Sequence, residues 1–252
     1  RHRGQALGSP VLGEGVEELA VSGSAQSLSI EVKYPRGGGG GFSRDRSEPS
    51  PIEVRMPAGA ALDVDAVSAS VDITGLASRR LSVDSVSGNV TVRDSRADEA
   101  RFDLVSGDID ARLDSTDISI DTVSGDVRLE SRRGGELGLD TVSGDADLRV
   151  GEVRRAVMDS VSGSVALQAR LAPGGRISAD TVSGSVRLRL PADTSARVSM
   201  ETFSGGLSSP VGEVKTEKYG PGKSLSARLG GGEGQIQVAT FSGDARLQLE
   251  SK

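Results

Sequence analysis

One nine-residue phrase recurs along the chain with small changes: DTVSGDVRL at 121–129, DTVSGDADL from 140 and DTVSGSVRL from 180. The Gly of its Ser-Gly pair marks a series: Gly88, Gly107, Gly125, Gly144, Gly163, Gly184, Gly205 and Gly243, with Ala69 as an imperfect first member. The steps are 19, 19, 18, 19, 19, 21, 21 and 38 residues. A period near 19 is too short for two helices and a turn, and it suits one coil of a β-solenoid. The final step is twice the period, which predicts a degenerate or replaced copy there.

Apolar residues fall in columns around the marker. Leu81, Ile118, Leu137 and Ile177 stand seven before it, and Val83, Phe102, Ile120, Leu139 and Met158 stand five before. Val86, Val105, Val123, Val142, Val161, Val182, Phe203 and Phe241 stand two before. Val90, Ile109, Val127, Val165 and Val186 follow two after, and Val92, Leu129, Leu148, Leu167 and Leu188 four after. Within each half the alternation is that of a strand with one buried face. Parity slips between the positions five and two before the Gly, which predicts a bend or bulge there that turns the valines back inside. The Gly is then expected to point inward, where a Cβ would crowd the core. The Ser before it and the Asp, Asn or Ser after it are expected outside, satisfying backbone near a corner.

The predicted fold is therefore all-β: a single-stranded β-helix (β-solenoid), expected right-handed, with about 19 residues per coil and capped ends. No coil buries its apolar face alone; its neighbours do so. A core one Val, Leu or Ile thick also accounts for an aromatic content of only 2%. Residues 1–14 are expected to be disordered or trimmed, and 15–60 to hold N-terminal strands, a Gly-rich loop and a lead-in coil. Residues 61–210 form the solenoid coils, and 211–252 a C-terminal hairpin cap with the last coil. Bare solenoid ends expose unpaired strand edges, so caps are needed.

Bulk properties narrow the function. A net charge of −6 argues against nucleic acid as a partner, since phosphate contacts need a basic face. The absence of Cys removes disulfides, thiolate nucleophiles and zinc–cysteine sites. No apolar run is long enough to span a bilayer as a helix. Arg1 stands without Met or a signal h-region, so a mature or trimmed chain is expected, its signal peptide absent.

The run of SG[DNS]-V-x-[VL] coils, the lead-in VRMPAGAALDVDAVSASVDI and the ending ARLGGGEGQIQVATFSGDARL together resemble a bacterial family of adhesin-labelled β-strand-repeat domains of unknown function. The likeness covers about residues 15 to 250. It implies a single-stranded β-helix, export to the periplasm or cell surface and no enzyme activity, and it carries over no catalytic residue.

Two charged columns are candidate binding surfaces. Four before the Gly stand Asp65, Asp84, Asp103, Asp121, Asp140, Asp159 and Asp180, then Glu201. Stacked about 5 Å apart, such carboxylates repel by roughly 0.8 kcal/mol per pair in water. They either accept hydrogen bonds from neighbouring hydroxyls along a solvated edge or bind cations or a cationic peptide. Arg79, Arg80, Arg96, Arg132, Arg133, Arg154, Arg155 and Arg176 fall in the returns, which predicts a basic edge able to meet an anionic envelope glycan or lipid. On the second strand Arg93, Arg112, Arg128, Arg149, Arg187, Arg189 and Arg246 share a face with Asp108, Asp126, Asp145 and Asp244, which predicts a surface charge lattice. Nine equivalent serines before the markers are the opposite of one tuned nucleophile, and the lone His2 offers no activating base. No catalytic residue, cofactor or metal site is expected.

The expected function is non-enzymatic, adhesin-like binding by an exported, monomeric envelope or cell-surface protein. The alternative is a structural scaffold subunit that assembles through solenoid ends or sides.

Overall fold

The computed structural model describes residues 18–23, 28–33, 52–218 and 220–250. The predicted trimmed segment 1–14 and the Gly-rich loop at 36–51 lie outside these residues. The chain forms two compact units, Arg1–Pro57 and Ala58–Lys252. In the first, β1 (Glu18–Gly23) pairs antiparallel with β2 (Leu28–Lys33), where the sequence predicts two strands.

The second unit is a β-solenoid with about 19 residues per coil, and no helix occurs among the described residues. In chain order its strands are β3 (Leu62–Ser68), β4 (Val71–Thr74), β5 (Ala77–Ser87), β6 (Val90–Ser106), β7 (Ile109–Asp114), β8 (Asp117–Ser124) and β9 (Val127–Ser131). There follow β10 (Glu136–Ser143), β11 (Ala146–Ser162), β12 (Val165–Ser183), β13 (Val186–Pro191), β14 (Ala196–Thr202) and β15 (Leu207–Ser208). The last are β16 (Lys215–Thr216), β17 (Lys223–Leu229), β18 (Gly234–Thr240) and β19 (Ala245–Glu250).

Two parallel walls meet at the Ser-Gly corner. The first stacks β3, β5, the ends of β6, β8, β10, and the ends of β11 and β12, each in register with the next, so that Asp121 lies between Asp103 and Asp140. The second stacks β4, β6, β7, β9, β11, β12 and β13. Like residues therefore superpose at the ~4.8 Å inter-strand spacing. The core is a pile of Leu81, Val83, Phe102, Ile120, Leu139, Met158 and Ile177 facing Val90, Ile109, Leu129, Leu148, Leu167 and Leu188, all buried.

The C-terminus departs from sequence order. β18 pairs parallel with both β12 and β14, and β19 with both β13 and β15. The chain thus skips one rung after β13, builds the next with β14 and β15, and later returns to fill the gap. The 38-residue step is this excursion, not a degenerate copy. Between the two, β17 runs antiparallel to β14 and to β16, covering the parallel edge of β14. An antiparallel strand there blocks continuation of the parallel stack.

The predicted bend before the corner is absent. The first wall alternates without a slip, so positions seven, five and three before the Gly all face the core. The column three before (Ser85, Leu104, Thr122, Thr141, Ser160, Thr181, Thr240 and Thr202) is buried. The valines two before are outside, with Val86, Val105 and Val123 about half exposed. Parity changes at the Ser-Gly-x corner instead, where Gly88, Gly107, Gly125, Gly144 and Gly163 take φ between 121° and 134°. Nor does the Gly point at the core. A Cβ on Gly107, Gly125 or Gly144 would stand 2.1–2.2 Å from the carbonyl oxygen of the Gly one coil away, so backbone stacking excludes a side chain.

The residue after the Gly braces this corner. Asn89 Oδ1 accepts from the Asp108 amide at 3.0 Å, Asp108 Oδ1 from Asp126 at 2.9 Å, Asp126 Oδ1 from Asp145 at 3.0 Å and Asp145 Oδ1 from Ser164 at 2.8 Å. Asp244 does the same for Gly206 at 2.7 Å. These aspartates brace backbone and, among the described ion pairs, do not meet the second-wall arginines as expected. The charge lattice forms around Glu130 instead, which lies 3.5 Å from Arg112 and from Arg149, with Arg149 also 3.2 Å from Asp147.

Candidate functional site

An unslipped first wall has two outward columns side by side, and together they make a groove. One flank is Asp65, Asp84, Asp103, Asp121, Asp140, Asp159 and Asp180; the other is Val67, Val86, Val105, Val123, Val142, Val161 and Val182. The strand positions between them supply the floor, and the groove encloses about 1130 Å³. Each coil contributes the same Asp-x-Val triplet, so the groove follows the stacking direction across coil after coil. Strand alternation sends the first and third residues of the triplet to solvent and the middle one to the core.

The pattern changes where the C-terminal strand is inserted. Asp180 is in register with Ala239, which in turn is in register with Glu201, so the acidic row is interrupted. On the apolar flank Phe241 takes the place of Val and stacks on Phe203 of the next rung, with ring centroids 4.9 Å apart and planes 6° from parallel. Both rings are more than half exposed.

Burial beside the wall and the neighbouring carboxylates set the electrostatics. Partial burial, then the hydrogen bond and charge of Asp103, push the Asp84 carboxyl above its ordinary value, and the same causes act on Asp121. Asp159 is raised by burial and then by the charges of Asp140 and Asp180. Burial works against ionisation of Asp103 too, but Arg101 overrides it: its Nε donates to Asp103 Oδ2 at 2.7 Å and holds that carboxyl below the usual range. Arg101 Nη2 also lies 3.7 Å from Asp121. No comparable arginine partner meets Asp140, Asp159 or Asp180 among the described ion pairs. Among the described residues no cluster of His, Asp or Glu is arranged to hold a metal ion.

The predicted acidic column is therefore brought together as one flank of a groove, although the hydroxyl next in sequence does not donate to it as expected; Ser82 Oγ donates to Asp84 Oδ2 at 3.5 Å and Ser178 Oγ to Asp180 Oδ2 at 3.4 Å instead. The hydroxyls of Ser85, Thr122, Thr141, Ser160 and Thr181 are buried, and their oxygens meet no protein partner. The four return arginines are placed differently. Arg132 pairs with Asp114 at 2.5 Å and Arg133 with Asp98 at 3.6 Å. Arg154 and Arg155 donate their amides to Gly135 O. The wall column through Arg155 runs Arg80, Glu99, Asp117, Glu136, Arg155, Arg176, so three acidic residues interrupt the basic ones and the edge is not a basic stripe. Missing from the sequence reading was the valine flank. Its signal was available: an unbroken alternation from seven to two before the Gly puts Asp and Val on one face.

No curated protein and no solved structure matches this chain. Among the described residues no helix is long and apolar enough to cross a membrane. The repeating corner, the two parallel walls and the closing strands coincide with one family match, whose model aligns with residues 21–248. The chain belongs to the Toastrack DUF4097 family, a domain of unknown function.

Proposed function

We propose that this protein is a non-enzymatic recognition module of the bacterial envelope or cell surface, and that it binds an elongated cationic, partly apolar peptide in the Asp-Val groove. The single observation that carries this reading is the pairing of a continuous carboxylate row with a continuous row of half-exposed valines. A row of valines left half open to water along a whole wall is a candidate contact surface. The carboxylates beside it select a ligand of opposite charge and reject anions. The basic-edge reading has less support, because Arg132 and Arg133 are already paired and Glu99, Asp117 and Glu136 interrupt the basic column.

Peptide geometry fits the groove. An extended chain sends alternate side chains to opposite flanks, so alternating Lys and Val would face the Asp row on one side and the Val row on the other, with lysines ~6.6 Å apart shared along carboxylates ~4.8 Å apart. Asp65 to Asp180 spans six inter-coil steps, about 29 Å at ~4.8 Å each, or about nine residues at ~3.3 Å. Placement at the envelope rests on the family resemblance of the repeats. The scaffold alternative is disfavoured at the C-terminal end of the stack, where antiparallel β17 interrupts the parallel edge.

The test is a titration of a fluorescently labelled nine-residue Lys-Val peptide at low salt, repeated at rising salt and with the Asp121→Asn/Asp140→Asn/Asp159→Asn variant. Salt-sensitive binding that falls at least tenfold in the variant supports the groove. Binding that is absent, or indifferent to both changes, removes it.

A further inference from the structure

The groove is not the same at its two ends. Along most of its length each rung offers one carboxylate and one valine. At the rung filled by β18 the carboxylate becomes Ala239 and the valine becomes Phe241, and Phe203 on the next rung extends the aromatic surface. The substitutions coincide: charge is withdrawn at the position where ring area is added. Two aromatic rings on neighbouring rungs, stacked and more than half exposed, present faces and edges that no residue of this chain covers among the described residues.

We infer that Ala239, Phe241 and Phe203 form an end subsite, which takes an aromatic or bulky apolar terminal group of the peptide lying in the groove. This rests on the groove reading above. A lysine reaching this rung would find Ala239 between Asp180 and Glu201, so the local carboxylate is missing where the cation would sit. A ring would find an offset partner in Phe241, and aromatic pairs prefer such stacked or edge-on contacts. The subsite makes the site directional: cation-binding along the coils and aromatic at the end where the C-terminal strand is inserted. It also gives a physical role to the departure from the Asp-x-Val triplet at β18, where Val would have filled the outer column equally well.

The experiment uses the full chain, which contains no Trp, so that indole emission reports only the peptide. Three nine-residue Lys-Val probes are compared: one without Trp, one with a terminal Trp and one with Trp at its centre. The expected result is that terminal Trp tightens binding roughly 2- to 10-fold, the size of one aromatic contact, with a blue-shifted emission, whereas central Trp does not. In the Phe203→Val/Phe241→Val variant the gain disappears, so that the terminal-Trp and Trp-free probes bind it with equal affinity. Val is the residue of the other rungs, so the variant keeps the wall's own side chain. Equal affinity of all three probes, or a gain that survives in the variant, overturns the subsite and leaves the groove standing. No salt-sensitive binding by any probe overturns both.

Discussion

Gly125 lies directly over Gly107: a Cβ built on Gly125 would come within 2.1 Å of the Gly107 carbonyl oxygen, at a backbone φ of 131°. Both facts exclude any other residue, and both follow from stacking one corner on the next. Gly125→Ala is expected to cost about 3 kcal/mol or more, from strain at positive φ plus a backbone collision. Gly75, with φ 72° and nothing within 4 Å of its built Cβ, serves as the control, and Gly75→Ala should cost only about 1 kcal/mol. Urea denaturation of the two variants separates steric stacking from conformational preference alone.

The Asp after the Gly has a different duty. Asp126 Oδ1 accepts from the Asp145 amide while its own amide donates to Asp108 Oδ1. Asp126→Asn keeps an acceptor and is expected to cost little. Asp126→Ala loses it and should destabilise the chain by about 1 kcal/mol. A thermal melt in which the two substitutions behave alike would refute the ladder as a stabilising device.

The buried hydroxyls make an opposite prediction at two members of one column. Thr141 Oγ1 is buried with no protein partner, whereas Thr240 Oγ1 donates to Gly243 O at 2.9 Å. Replacing an unpartnered buried hydroxyl by a methyl of the same shape removes a desolvation cost. Thr141→Val should therefore leave stability unchanged or raise it by about 1 kcal/mol, and Thr240→Val should lower it by about 1 kcal/mol. Chemical denaturation of both variants checks the sign.

Acidity should act on the groove through Asp84, Asp121 and Asp159. Their folded-state pKa values lie above the ordinary 3.8. The folded chain then holds more protons than the unfolded one, so the stability they give is full below 3.8 and is lost as pH rises through the raised values. Asp103 and Asp114 run the other way: their contribution is present above 3.8 and is lost as pH falls through their lowered values. The Asp84→Asn/Asp121→Asn/Asp159→Asn variant should accordingly be more stable than the parent at pH 7, and the difference should vanish near pH 3. Denaturation midpoints at both pH values read this directly. Peptide binding by the parent should begin to weaken while pH is still above the ordinary aspartate value.

The inserted strand predicts how truncation behaves. β18 supplies the only parallel partner linking β12 to β14 among the described strands. A chain ending at residue 232 should expose the β12 edge, detach the β14–β17 cap and self-associate. Size-exclusion chromatography of that chain is expected to show large species, where the full chain elutes as one.

Much of the architecture was legible in the residues themselves. The Ser-Gly period gave the coil length, and the alternating Leu, Val and Ile columns gave two walls, because in a strand the side-chain direction depends only on local parity. The acidic column of Asp84 to Asp180 was legible for the same reason. What the local pattern left open was where parity changes, since Val86 and Ser85 are equally at home on either face of a wall. Placing Ser85 inside and Val86 outside required the corner to be at Gly88, whose positive φ absorbs the turn.

The C-terminus shows the stronger limit. Nothing within TFSGDARL distinguishes a coil added at the end from one inserted before β14, because its own strand geometry is identical in both. That choice depends on which edge is left unpaired once β14 has skipped a rung and β17 has covered its far side. Sequence by itself determined the repeat, the buried columns seven and five before and two and four after the Gly, and the acidic column of the outer face. Only the tertiary structure decided that Phe241 follows Val182 along the groove and stacks on Phe203, because that neighbourhood is made by hydrogen bonding between strands far apart in the chain.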